Sequence, residues 1–255
     1  MIYRIKNIFL LVENEISEYD EIIYGRFSQF NKKSNIKVDN YLKFKKNEVN
    51  IKIKGKEIKL KAKIIKTDIY VIINNVISYI INDEYNIYMH SVVVANSKKK
   101  GILIIGNFGQ GKTTLANEFI KYGYRIHSSD QTWLKINKRK IKQVLGSRFY
   151  YEDSKIKFLN KKDVKEKIEI DKIIRIVGLA NNSDTIINEE KNIYYKVKQA
   201  SDYCNWTNIS VIFTDDVNLY NVQKFTKDFL LKILDIKFYN VRGDKCEIVN
   251  KIKEE

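Results

Sequence analysis

A glycine-rich segment of eight residues constrains this chain more than any other part of its sequence. The segment reads Gly106-Asn107-Phe108-Gly109-Gln110-Gly111-Lys112-Thr113, which fits the pattern G-x-x-x-x-G-K-[ST]. The apolar run 102–105 before it is typical of a buried strand, and residues 114–122 after it have the spacing of a helix that ends before Gly123. This order of strand, loop and helix is the context that a phosphate-binding P-loop requires.

The residue types of the loop suit an anion. Glycine has no Cβ, so the backbone can bend tightly and direct its N–H groups inward, and the start of the following helix adds a favourable dipole. The pattern predicts that Lys112 reaches the β- and γ-phosphates and that the Thr113 hydroxyl binds Mg²⁺. The expected nucleotide-binding residues are Gly106, Asn107, Phe108, Gly109, Gln110, Gly111, Lys112, Thr113 and Thr114.

The chain is strongly basic, but its charge is spread along the sequence. The formal net charge is +16, and the chain contains no proline. Within residues 50–65 the lysines alternate with apolar residues, which is typical of the solvated face of a hairpin. Because no basic stripe, zinc motif or aromatic platform accompanies the charge, nucleic-acid binding is disfavoured as the main function. A basic surface remains compatible with an acidic peptide or protein partner.

Length and composition indicate a globular cytoplasmic protein with no membrane association. The 255 residues suffice for one large or two modest domains, and no apolar run is long enough to span a bilayer. The first residues lack the apolar core and the cleavage site of a signal peptide. Cys204 and Cys246 form neither a disulfide framework nor a metal-binding cluster.

The sequence patterns predict a β-rich region over residues 1–85 and a nucleotide-binding domain over residues 86–255. In the first region a hairpin is expected over 50–65, with its turn at 54–57, whereas 69–81 fits a strand or a buried helix equally well. In the second region strands are predicted at 90–95, 101–105, 124–128, 133–136, 141–145, 173–179, 209–213 and 237–241, with helices at 114–122 and 222–234 and a loop or short helix within 161–170.

The order of motifs in residues 90–136 is more specific than the glycine loop alone. His90 begins a predicted strand, the loop follows the next strand, Gly123 ends the helix, and Ser128-Ser129-Asp130 ends the strand after it. This order resembles the catalytic domain of the HPr kinase/phosphorylase family and its smaller kinase-like relatives. The resemblance implies an α/β P-loop kinase domain of the HPr-kinase/PEP-carboxykinase type. Such a domain has a mixed, largely antiparallel β-sheet with flanking helices, and a small β-rich N-terminal region would precede it here.

The same resemblance implies a mechanism. ATP and Mg²⁺ would bind at the loop, and the γ-phosphate would pass to a hydroxyl, usually a serine of a peptide or small protein. Lys112 would neutralise charge, Asp130 would position the acceptor and take its proton, and His90 would assist. Thr113 and Asp130 would be the metal ligands. A homo-oligomer is also compatible, because full HPr kinases are commonly hexamers.

Two departures from the family pattern bear on activity. The family usually has two aspartates where this chain has Ser129 and Asp130, and the first aspartate, at the position of Ser129, is the usual base. A serine is not a base at neutral pH. Either Asp130 covers both tasks, or His90 helps, or transfer is impaired and the chain is a nucleotide-binding partner protein. A second family motif, Glu-(Ile/Leu)-Arg-Gly-Leu-Gly, aligns with residues 173–179 and retains Arg175 and Gly178 but has Ile173 in place of the glutamate, so no metal-binding glutamate is expected here.

Other candidates have weaker support. Asp215-Asp216 after an apolar run is typical of a Walker-B strand end, with a turn or a helix cap as the alternative. Arg175 is a candidate phosphate contact, and Tyr203 and Trp206 are candidates for stacking on a base. His127, inside a predicted strand, is expected to be structural. A P-loop ATPase attached to a nucleic-acid binder is a third, less favoured function.

Overall fold

The computed structural model describes residues 1–81, 86–137, 140–152, 155–181, 184–203, 231–233 and 235–254. The sequence features that lie outside these described residues are Cys204, Trp206, the strand predicted at 209–213, Asp215, Asp216 and residues 222–230 of the predicted helix 222–234. The described residues fall into two compact units, one within residues 1–81 and one within residues 86–254. No helix in these ranges is long and apolar enough to cross a membrane.

The first unit is a six-stranded sheet with two helices. Its strands are β1 (Ile2–Ile5), β2 (Ile8–Asn14), β3 (Asn31–Lys33), β4 (Asn40–Lys45), β5 (Glu48–Ile53) and β6 (Lys56–Lys61), in the order β3-β1-β2-β4-β5-β6. Its helices are α1 (Asp20–Arg26), preceded by a 3₁₀ turn at Ser17–Tyr19, and α2 (Lys66–Ile81). All strand pairs are antiparallel except β2 with β4.

Two sequence patterns explain much of this unit. The predicted hairpin is confirmed as β5 and β6, and its turn residues Lys54 and Gly55 both have positive φ, as a two-residue type I′ turn requires. The ambiguous run 69–81 is helical. Its buried Ile69, Ile73 and Val76 recur every three to four residues along α2, and this spacing places them on one face of a helix.

The described part of the second unit contains the glycine loop and a nine-stranded sheet. Its strands are β7 (Asn86–Met89), β8 (Ser91–Ala95), β9 (Lys100–Ile105), β10 (Arg125–Ser128), β11 (Thr132–Asn137), β12 (Lys140–Gly146), β13 (Phe149–Glu152), β14 (Lys155–Phe158), β15 (Ile168–Leu179), β16 (Ile186–Glu189) and β17 (Lys237–Gly243). The sheet order is β10-β8-β9-β15-β12-β11-β7, with β17 also paired to β15 and β16 paired to β17. β13 and β14 form a separate hairpin.

The helices of this unit whose bounds lie within the described residues are α3 (Lys112–Ile120), α4 (Lys161–Lys165), α5 (Ile193–Ser201) and α6 (Lys245–Glu254). Side chains of α3 and α6 share a buried apolar cluster with one face of the sheet. Leu115 and Phe119 of α3 lie in this cluster with Ile104 of β9 and Ile174 of β15. The buried cluster therefore anchors the helix that follows the glycine loop.

The fold is mixed α/β with largely antiparallel sheets. In the second unit β15 runs parallel to β9 and β17, and the other strand pairs are antiparallel. β9 and β10 are both antiparallel to β8, so they point in the same direction. As a result, the carboxyl ends of β9 and β10 and the beginning of β8 meet at one edge of the sheet.

Most of the predicted elements in this unit are confirmed, with shifted ends. β8, β9, β10, the β11–β12 hairpin, the second half of β15 and β17 coincide with predicted strands. Two of the shifted ends concern candidate site residues. The strand begins at Ser91, so that His90 precedes it, and the helix begins at Lys112 because Gly111 is its N-cap. Within 161–170 a short helix is followed by the start of β15.

Candidate phosphate-binding site

The glycine loop forms a concave turn between β9 and α3. Gly109 and Gly111 have φ of +77° and +88°, which residues with a Cβ rarely adopt. A Cβ built on Gly111 would lie 2.6 Å from Cδ1 of Leu179, at the end of β15. The loop therefore rests directly on the neighbouring strand, and position 111 leaves no free room for a side chain. Leu179 was assigned no role from sequence, although it ends an apolar run.

Lys112 is held inside this loop. Lys112 is only 8% exposed, and its Nζ donates to the carbonyl oxygens of Gly106 and Asn107, both at 2.9 Å. Burial lowers the Lys112 pKa to about 8, and the negative charge of Asp130 opposes part of that shift. An ammonium group with only two carbonyl partners retains one donor for an incoming anion.

The remaining loop residues differ in exposure. Phe108 at the tip is 93% exposed, and Asn107 and Gly109 are also exposed. Thr113 is half-buried and Thr114 is exposed, both in the first turn of α3. The backbone N–H groups of this first turn have no partner within the helix, which is the usual condition for anion binding at a helix start.

His90 and Asp130 meet at the same sheet edge as the loop. Ser91 pairs with Ile105, so His90 lies beside the beginning of the loop in the sheet register. The Nδ1 of His90 lies 3.4 Å from Oδ1 of Asp130, and both side chains are partly exposed. Asp130 has a φ of +68°, a left-handed conformation that aspartate tolerates better than most residues. The structure thus brings together Lys112, His90 and Asp130, three residues singled out from sequence.

Ser129 is enclosed beside Asp130. The residue is 2% exposed, and its Oγ has no hydrogen-bond partner. Its backbone is fixed, because its N–H donates to the carbonyl of Ser147 at 3.1 Å and its carbonyl accepts from the N–H of Gln131 at 2.8 Å. A buried hydroxyl in this setting has none of the acceptor strength of a carboxylate.

A hydrogen-bonded cluster that sequence reasoning missed holds the end of β10. Ser128 Oγ donates to the carbonyl of Gln131 at 2.7 Å and lies 2.6 Å from Thr132 Oγ1. Thr132 Oγ1 also lies 3.2 Å from the carbonyl oxygen of Ser91. These contacts tie the turn that carries Asp130 to the beginning of β8. Small hydroxyl residues around the turn are the only signal of this cluster in the sequence.

Two further candidates occupy different surroundings. His127 is buried, with its Nδ1 2.9 Å from the carbonyl oxygen of Asp163, which fits the predicted structural role. Ile174 and Ile176, on either side of Arg175 in β15, belong to the buried cluster that includes α3. Because successive side chains of a strand point to opposite faces, Arg175 faces the other side of the sheet. There it donates to Asn240 Oδ1 at 3.2 Å and to the hydroxyl of Tyr203 at 3.4 Å. The structure places Tyr203 beside this arginine rather than at the loop.

The described residues contain no group of three or more His, Cys, Asp or Glu side chains that could hold a metal ion by themselves. A metal at the loop would therefore need oxygen ligands from its anion. Thr113 and Asp130 are the residues predicted to complete such a site, and both are partly accessible. Hydroxyl and carboxylate oxygens are suitable ligands for Mg²⁺ when phosphate oxygens supply the rest.

Comparison with known proteins finds weak structural likeness and no match in sequence. No protein-family model matches the chain. No curated protein matches its sequence. Among solved structures, the chain is similar to the Hpr(Ser) kinase/phosphatase from Coxiella burnetii, with a TM-score of 0.37 and 12% sequence identity. The match covers 66% of this chain and 94% of that one. A likeness of this size does not establish a family.

Proposed function

We propose that this protein is an ATP-dependent phosphotransferase that moves the γ-phosphate of ATP to a serine-type hydroxyl of a peptide or small protein. The observation that carries the proposal is the meeting of a glycine loop, a buried lysine and a carboxylate–imidazole pair at one sheet edge. Lys112 lies within the loop, and His90 and Asp130 are 3.4 Å apart at the adjoining strand ends. An HPr-kinase-like P-loop fold is the architecture proposed for this unit.

The proposed reaction assigns each residue one task. The acceptor hydroxyl oxygen forms a bond to the γ-phosphorus while the bond from that phosphorus to the β,γ-bridging oxygen breaks. The hydroxyl proton passes to the carboxylate of Asp130, or to His90 across their contact. Lys112 and the loop N–H groups stabilise the negative charge on the transferred group. ADP is the leaving product, and no redox change is involved.

The loop suits the triphosphate of a nucleotide on structural grounds. Gly109 and Gly111 allow the left-handed backbone bends of the loop, and the first turn of α3 offers backbone donors. Thr113 and Asp130 would hold Mg²⁺, which would neutralise phosphate charge when bound. The net charge of +16 favours an acidic acceptor peptide.

Ser129 supports a second function. If a single carboxylate cannot both contact the metal and accept the proton, the protein would bind ATP without transferring phosphate. It would then be a nucleotide-dependent binding partner. The buried hydroxyl of Ser129, with no hydrogen-bond partner, stands where the resembled family has its base, which favours this alternative.

A mass-spectrometric phosphotransfer assay separates these functions. The protein is incubated with ATP, Mg²⁺ and serine-containing peptides, including any encoded beside its gene, and Lys112→Ala serves as the control. A gain of one phosphate that requires Lys112 supports the kinase. Binding of ATP with no transfer to any peptide supports the partner protein and rejects the kinase.

A further inference from the structure

The side chain of Gln110 reaches back across the glycine loop. Its Oε1 accepts the backbone N–H of Asn107 at 2.6 Å, and its own N–H donates to the carbonyl of Asn107 at 3.3 Å. Gln110 and Asn107 are therefore joined twice, by a backbone and by a side-chain hydrogen bond. This double link closes the turn at the tip of the loop.

The Asn107 N–H belongs to the same peptide unit as the carbonyl of Gly106. That carbonyl accepts from Lys112 Nζ at 2.9 Å. One peptide plane is thus held at both ends, with its N–H on Gln110 and its oxygen on Lys112. Because a peptide unit is planar, fixing its N–H direction also fixes the direction of its oxygen.

Gly106 leaves the space that this arrangement needs. A Cβ on Gly106 would lie 3.0 Å from Gln110 Oε1, which is shorter than most contacts that a Cβ makes in proteins. The glutamine amide therefore fills the room beside a buried glycine. Gln110 itself is half-exposed, so its side chain contributes to the conformation of the loop and not to the apolar core.

We infer that Gln110 is a positioning residue, which fixes the Gly106–Asn107 peptide unit and through it holds the amino group of Lys112 for the phosphates. This inference rests on the proposed binding of ATP but not on phosphate transfer. A glutamine at this point of the loop is a property of this chain, because the motif leaves the position unspecified.

The test compares Gln110→Leu with Gln110→Glu. Leucine has a similar size but cannot accept a hydrogen bond, whereas glutamate retains the acceptor at the same reach. In the ligand-free protein, amide exchange at Asn107 should be fast in Gln110→Leu and remain slow in Gln110→Glu. Equal exchange in wild type and Gln110→Leu would overturn the inference. Gln110→Ala gives the same comparison if the leucine variant is unstable.

A double-mutant cycle with Lys112→Met decides whether Gln110 acts through the lysine. Losing one hydrogen bond should weaken ATP binding about three- to tenfold in Gln110→Leu. In the Lys112→Met background the same change should have less than about a twofold effect, because the group that it positions is gone. Equal effects in both backgrounds would overturn the inference. A protein that binds ATP but transfers no phosphate would refute the kinase and leave this cycle interpretable.

Discussion

The imidazole of His90 and the carboxylate of Asp130 face each other across 3.4 Å, although the two residues lie forty positions apart in the chain. β8 separates β9 from β10, and its antiparallel pairing to both brings these two side chains to the edge that bears the loop. This pair places a carboxylate and an imidazole side by side at that edge. It defines where the acceptor hydroxyl of the proposed reaction would lie.

Asp130→Asn is expected to abolish phosphate transfer while ATP binding stays within about threefold of wild type. Asparagine has the same shape and also tolerates positive φ, so the turn at φ +68° is retained while the proton acceptor is lost. Transfer is measured by mass spectrometry and binding by calorimetry.

Asp130→Ala also removes the carboxylate, but unlike asparagine, alanine adds backbone strain of about 1 kcal/mol at this φ. Comparing the two variants separates loss of the base from strain in the turn. If Asp130→Asn transferred phosphate at the wild-type rate, the role of base would have to be reassigned to His90.

Lys112→Ala is expected to remove the rise in melting temperature that ATP and Mg²⁺ produce in the wild type. Lys112 is the buried cation of the loop, and its Nζ donates to two loop carbonyls. Differential scanning fluorimetry with increasing ATP provides the measurement. Lys98→Ala removes an exposed turn lysine and should keep the full shift. A shift of equal size in Lys112→Ala would reject the loop as the nucleotide site.

Nucleotide affinity is expected to fall as the pH rises above about 8. Burial lowers the pKa of ligand-free Lys112 to about 8, so the lysine is protonated below that pH and loses its charge above it. Bound phosphates favour the charged form, so binding is accompanied by proton uptake above this pKa. Calorimetry from about pH 7.5 to about pH 9.5, in buffers of different ionisation enthalpy, measures both effects. Lys112→Met should bind weakly with little pH dependence over that interval.

The lowered pKa of Lys112 also makes the stability of the ligand-free protein depend on pH. The folded-state pKa of Lys112 is lowered from 10.5 to about 8, so the unfolded chain binds more protons between these values. This group therefore favours unfolding below the folded pKa, and its penalty is relieved as the pH rises from about 8 toward 10.5. The rise in the free energy of unfolding that Lys112 causes between about pH 8 and pH 10.5 should consequently be absent in Lys112→Met.

Local sequence signals were sufficient for the loop and its flanking elements. The glycine spacing, the apolar run before it and the turn at Lys54-Gly55 depend on short-range conformational preferences, and the structure has the predicted elements there. The run 69–81 remained ambiguous because a continuous apolar stretch fits a strand or a helix until its neighbours are known. Its assignment to α2 depends on which of its faces is buried in the fold.

Long-range contacts explain what the sequence could not supply. The approach of Leu179 to Gly111 depends on the parallel pairing of β15 with β9, which joins segments about seventy residues apart. The placement of Arg175 on the opposite side of the sheet depends on strand register, since a shift of one residue reverses the face. The resemblance of motif order implied roles for His90 and Asp130 in one site, but the contact between them could be seen only in the folded chain.

Gly111→Ala is expected to impair nucleotide binding far more than Gly123→Ala, although both glycines have similar positive φ. Gly111 has φ +88° and Gly123 has φ +83°, so each alanine incurs a backbone cost of about 1 kcal/mol. Only at position 111 would the new Cβ meet a neighbour, at 2.6 Å from Leu179 Cδ1, whereas nothing lies within 4 Å at position 123. Either the Leu179 side chain or the loop must therefore shift in Gly111→Ala to relieve this contact.

Thermal unfolding and ATP titration of the two glycine variants separate backbone strain from loop displacement. Both variants should melt a few degrees below wild type, since about 1 kcal/mol shifts the midpoint by roughly 2–4 °C in a domain of this size. Gly123→Ala should bind ATP as wild type does, and Gly111→Ala at least about tenfold more weakly, because Lys112 and the first N–H groups of α3 follow position 111 directly. Equal affinities in the two variants would mean that the contact with Leu179 does not shape the anion site.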